Sequence, residues 1–130
     1  MSGFLFVDDP VAVARSVSGA KAILDDAPST QHILDGLKKQ LQFPGYFGNN
    51  WDALAECLRG LGWLSARNVT IVHATLPLIG DDDLRRYVSA LECCADFWQT
   101  AEEHVLTVIF PTSAAPRVTA ALARARLEVI

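Results

Sequence analysis

No run of apolar residues in this chain approaches the roughly 18 that make a membrane-spanning candidate, and no basic region precedes its first apolar stretch, Phe4-Leu5-Phe6-Val7. A spanning helix and a signal-like leader are therefore not expected, and the protein is expected to be cytoplasmic. Cysteine is scarce: there are three, two of them adjacent at Cys93 and Cys94. Such a set does not make a disulfide framework and fits a reducing compartment. Positive charge is also short, with 11 Lys and Arg against 15 Asp and Glu and a formal net charge of -4. That balance argues against a surface that grips nucleic acid directly, and it permits a basic partner. No internal repeat, linker or low-complexity tract interrupts the sequence.

What is present suffices for a folded domain. A chain of 130 residues, 51% hydrophobic and 20% charged, has the composition of a globular protein. At that length it can bury about two thirds of its unfolded surface without disulfides or metal. Phe4 to Asp8 and Ala20 to Asp25 read as strands, with Pro10 and Gly19 punctuating the segment between them, and Val11 to Val17 fits helix or strand. Ser29 or Thr30 can cap a helix carrying Ile33, Leu34, Leu37 and Leu41 at helical spacing, with Pro44 as its stop. Val69-Thr70-Ile71-Val72 is a β-branched run suited to a buried strand. Asp81-Asp82-Asp83 opens the longest helix, with Leu84, Tyr87, Val88, Leu91, Cys94, Ala95 and Trp98 on one stripe. Val105 to Phe110 reads as a continuous apolar strand, and after Pro111 a final alanine-rich helix carries Val118 and Leu122 inward. Strands separated by helices imply an α/β fold: a small parallel sheet packed with helices.

The most specific stretch is Phe43-Pro44-Gly45-Tyr46-Phe47-Gly48-Asn49-Asn50-Trp51-Asp52-Ala53-Leu54-Ala55-Glu56-Cys57-Leu58-Arg59-Gly60-Leu61. At about 100° per residue, Trp51, Leu54, Cys57, Leu58 and Leu61 gather on one side of a helix, and Asp52, Glu56 and Arg59 on the other. Asp52 and Glu56 stand one turn apart, on a face with nothing large and apolar to bury. Asn49 or Asn50 supplies the cap, and Gly60 or Gly62 suits the left-handed residue that closes the helix. On a generic helix two such acids are most often a solvated face. Here Trp51 is expected in the core, Phe47 inward and Tyr46 outward.

The run from Pro44 to Leu58, with its lead-in Leu37-Lys38-Lys39-Gln40-Leu41-Gln42-Phe43, resembles the signature of the barstar family, inhibitors of barnase-type microbial ribonucleases. The likeness covers roughly residues 20 to 110. It implies a single barstar-like domain over residues 1–130. Within it, residues 1–19 form an N-terminal extension that adds an edge strand, 20–110 the family-like core, and 111–130 a helical extension. In the family, carboxylates placed where RNA phosphates sit enter a basic cleft. By matching position the resemblance implies partner-binding roles for Tyr46, Asn50, Asp52, Ala55, Glu56, Gly60 and Leu61.

Glu56 stands where the family's dominant aspartate would, and its charge reaches roughly 1.5 Å further if extended. Ala55 and Leu61 fall at or beside positions of contact-surface tryptophans in the type inhibitor, and Gly45 falls at a glutamate. A later-helix acid of the family aligns near Trp98 and Gln99, neither acidic. Coupling energies of about 1.5–7 kcal/mol for close charge pairs come from barnase–barstar itself and set the scale only.

The implied function is stoichiometric inhibition of, or immunity to, a basic ribonuclease or related nuclease toxin. The implied protein is an antitoxin that is a monomer when free, with no cofactor, no metal and no catalytic residues. Immunity to a non-ribonuclease toxin is the alternative. A Cys/His enzyme is the competing class: Cys57, Cys93 and Cys94 with His32, His73 and His104 offer a thiol and a base, at positions with no oriented third group. The Asp81–Asp83 run is read as compensation of the helix dipole, because no metal-loop spacing follows it. His73 is read as structural, and Arg117, Arg124 and Arg126 as a solvated basic tail.

Overall fold

The computed structural model describes residues 3–45 and 48–129, the side chains of 128 and 129 excepted. The expectations for Tyr46 and Phe47 fall outside the described residues. In chain order the elements are β1 (Phe4–Val7), α1 (Pro10–Ser16), β2 (Ala20–Leu24), α2 (Thr30–Gln40), α3 (Trp51–Gly60), β3 (Asn68–His73), α4 (Asp81–Ala101), β4 (Val105–Pro111), a short 3-10 turn, and α5 (Ala115–Val129). All four strands pair in parallel, in the order β1-β4-β3-β2. The extra N-terminal strand therefore lies at an edge, beside β4.

Strand alternation sorts the side chains between two layers. Ala22, Leu24, Val69, Ile71, Leu106, Val108 and Phe110 face the main core, where α2, α4 and α5 contribute Ile33, Leu37, Leu84, Leu91, Val118 and Leu122. Ile23, Val72 and Ile109 face the other way and are covered by Ala14 of α1. Covering both faces is what a parallel sheet requires. The ambiguous segment after β1 is helical because Asp9 accepts a hydrogen bond from the Ala12 backbone N–H and Pro10 occupies the first turn.

The edge at β2 is sealed by a side chain. The Ile23 N–H donates to Gln40 Oε1 at 2.7 Å, and Gln40 Nε2 donates back to the Ile23 carbonyl at 2.9 Å, so one amide stands in for a further strand. Gly19, at φ +101°, passes so close to Asn68 that a Cβ would clash with its carbonyl oxygen, so only glycine allows this approach to β2.

Two helix ends differ from the sequence expectation. α2 stops before Pro44: Gln42 takes φ 57° and the Phe43 N–H donates to the Lys38 carbonyl at 2.9 Å, with Phe43 buried. That is a Schellman closure fixed by a buried aromatic. α3 closes on neither Gly60 nor Gly62. Leu61 takes the left-handed conformation (φ 50°, ψ 18°) while its side chain is fully buried. Left-handed leucine is strained by about 1–2 kcal/mol, and core burial worth about 1.5–3 kcal/mol offsets it.

Candidate functional site

α3 is capped by Asn50, whose backbone is extended and whose side-chain oxygen accepts a hydrogen bond from the Ala53 N–H at 2.8 Å. Asn49 is not the cap; it turns the chain at φ 54° just before it. From this start Asp52 and Glu56 both project to the surface, with Arg59 and Gly60 exposed beyond them, while Leu54, Cys57 and Leu58 are buried. Among the described residues Asp52 and Glu56 enter no ion pair.

The helix is seated from beneath at both ends. At its first turn Trp51, half-buried, stacks on Tyr87 with ring centroids 5.1 Å apart, and its indole N–H donates to Asp83 at 3.2 Å. Tyr87 and His73 are joined at 2.6 Å, and His73 Nδ1 lies 2.9 Å from the Ile109 carbonyl. A carbonyl only accepts, so Nδ1 carries the proton and Nε2 receives the Tyr87 hydroxyl proton. Burial lowers the His73 pKa to about 4, keeping the ring neutral, and pushes Tyr87 up. His73 is thus a structural histidine, stacked 4.0 Å from Phe110.

At the other end Trp98 Nε1 donates to the Leu58 carbonyl at 2.6 Å, meeting a last-turn carbonyl that has no partner within the helix. Cys94 Sγ donates to the Ala55 carbonyl at 3.5 Å. Trp98 is therefore a buried strut and not a contact that replaces a surface acid. Trp63, which motif reading passed over, donates to the Leu41 carbonyl at 2.9 Å and packs edge-on to Phe43. Half-buried beside Gly60, it is the aromatic at the exposed end of α3.

The predicted site residues are only partly brought together. Asn50, Asp52, Glu56 and Gly60 are exposed along one helix, and Ala55 is half-buried in a groove beside it. Leu61 differs from them: its side chain lies wholly in the core.

The acids of α4 have internal partners. Arg117 donates to Asp81 at 2.8 Å, Arg85 lies 3.7 Å from Asp82, Trp51 uses Asp83, and Arg126 donates to Glu92 at 2.8 Å. The aspartate triplet therefore does more than oppose the helix dipole. Arg117 and Arg126 reach from α5 to α4, and with Arg124 they stay exposed, as a solvated basic helix would have them. Of the thiols, Cys57 and Cys94 are buried with raised pKa values, Cys94 to about 12, and only Cys93 is exposed.

The molecule is a four-stranded parallel α/β protein in which one short helix, seated on α4, exposes Asp52, Glu56 and Arg59. Residues 20–111 match the family model described as Barstar (barnase inhibitor), and the chain belongs to the barstar family. No curated protein matches it. Among the described residues no helix is long and apolar enough to cross a membrane.

Proposed function

We propose that this chain is a stoichiometric inhibitor of a barnase-type ribonuclease, acting as the antitoxin of the producing cell's cytoplasm by laying α3 into the enzyme's basic cleft. One observation carries the reading beyond family membership: Asp52 and Glu56 are exposed, one turn apart and without an ion pair among the described residues. Their helix is held at both ends by Tyr87 stacking and the Trp98 hydrogen bond. Carboxylates so placed meet phosphate-binding cations without first breaking internal pairs, and a rigid seat lowers the ordering cost of docking. Gly60 fits the same reading. It is helical, and among the described residues a Cβ there would meet nothing nearer than Trp63 at 3.8 Å. Among the described residues no contact demands a glycine that costs the helix about 0.5–1 kcal/mol, whereas close approach of a partner backbone would.

The test is a titration of barnase-type ribonucleases with the chain, following RNA cleavage. Inhibition that ends at one-to-one stoichiometry is expected, with an association rate that falls as ionic strength rises because steering is screened. A salt-indifferent rate counts against charge mimicry. If no ribonuclease is inhibited while another toxin is captured through Asp52 and Glu56, the immunity alternative replaces this reading.

A further inference from the structure

Beside the acidic face runs a groove of about 620 Å³ between α3, α4 and α5. One side carries Asp52 and Ala55. The α4 side includes Arg86, Ser89 and Cys93 together with Arg85, which is engaged with Asp82, and Ala125 of α5 adds to the lining. Arg86 is exposed and, like Asp52, enters no ion pair among the described residues, so the two opposite charges border one groove without neutralising each other. Ala125 lies beyond the family match, which ends at residue 111, so part of this lining comes from the added helix.

Resting on the docking reading above, we infer that this groove is the second half of the interface and receives a carboxylate side chain of the ribonuclease, taken from the rim of its basic cleft and held by Arg86. A partner seated on Asp52 and Glu56 necessarily overhangs the groove, because Asp52 and Ala55 belong to both surfaces. A purely basic partner surface would leave Arg86 facing like charge, which is costly. An acid at that place turns the repulsion into a pair and fixes the register of the complex. The interface is thus two-signed, acidic on α3 and basic on α4, and it selects among basic nucleases for those with a carboxylate beside the cleft.

The experiment measures binding of a barnase-type ribonuclease to Arg86→Glu, Arg86→Lys and the Asp52→Ala plus Glu56→Ala protein, with circular dichroism to check the fold. Arg86→Glu is expected to weaken affinity tenfold or more, Arg86→Lys to retain most of it, and reversal of one rim carboxylate of the ribonuclease to lysine to restore binding to Arg86→Glu. Simple charge mimicry predicts the opposite sign, since added negative charge tightens binding to a basic enzyme. Unchanged or tighter binding by Arg86→Glu overturns the inference.

Cys93 gives an independent readout, because it is the exposed thiol while Cys57 and Cys94 are buried. Its alkylation by iodoacetamide is expected to slow at least tenfold in the complex, and an unchanged rate shows an uncovered groove and overturns the inference. Loss of effect in the Asp52 and Glu56 variant, or no inhibition by the unaltered chain, strikes the docking reading itself. Dependence on Asp52 with a neutral Arg86 strikes only the groove.

Discussion

Two neighbouring helices carry acids to the surface and use them differently. On α4, Asp81, Asp82, Asp83 and Glu92 each face an arginine or an indole N–H of the same chain, and two of those contacts reach across to α5. On α3, Asp52 and Glu56 have no such pairing among the described residues, while the apolar side of the helix is fixed to α4 by Tyr87, Cys94 and Trp98. The difference teaches that residue type alone does not mark a docking surface. What separates the two sets is whether the fold itself has consumed the charge.

The comparison breaks first where α3 is seated. Leu61→Ala removes a fully buried side chain and is expected to cost about 2–5 kcal/mol in urea unfolding. A loss under 1 kcal/mol would mean that the left-handed cap is not anchored by the core.

Acidification attacks the same seat. Because the His73 pKa is lowered to about 4 in the folded protein against an ordinary value of 6.5, the unfolded chain binds the extra proton as pH falls. Stability is therefore complete above about pH 6.5 and declines toward pH 4, by roughly 3 kcal/mol in all. Unfolding free energies that stay flat from pH 7.5 to 5 would remove His73 from the account.

Tyr87→Phe leaves His73 Nε2 buried without its donor and is expected to cost about 1–3 kcal/mol, measured the same way. Gly60→Ala sharpens the contrast from the other side. It is expected to raise stability by about 0.5–1 kcal/mol while slowing or weakening capture of a ribonuclease, so a gain in both would remove the close-approach role. The smallest effect belongs to the paired acids: Asp81→Ala, at an exposed pair, is expected to change stability by less than about 1 kcal/mol and inhibition not at all.

The α3 contrast was half legible in the sequence. The separation of Leu54, Cys57 and Leu58 from Asp52 and Glu56 follows from the helical period, and the buried stripe of α4 was read residue by residue. The parallel sheet followed from strands alternating with helices. What stayed hidden depends on contacts distant in the chain. Arg117 meets Asp81 across 36 residues, and Arg126 meets Glu92 across 34, so neither pairing has a local signal. Propensity favoured glycine at the end of α3, and core burial placed Leu61 there instead. The stretch after β1 stayed ambiguous because a 7-residue helix shows barely two turns of periodicity. The groove with Arg86 was beyond sequence reading altogether, since three helices must pack before Asp52, Arg86 and Ala125 share a surface.

The most direct measurement is the inhibition titration repeated with Asp52→Ala plus Glu56→Ala, with thermal unfolding of the same protein. The account predicts one-to-one inhibition by the unaltered chain and a loss of at least a hundredfold in the variant. Breaking close interfacial charge pairs costs about 2–5 kcal/mol or more, whereas the unfolding midpoint should move only slightly, because Asp52 offers the fold no more than a first-turn dipole interaction of about 0.3–1 kcal/mol. Equal inhibition by both proteins would contradict the claim that Asp52 and Glu56 are the docking surface.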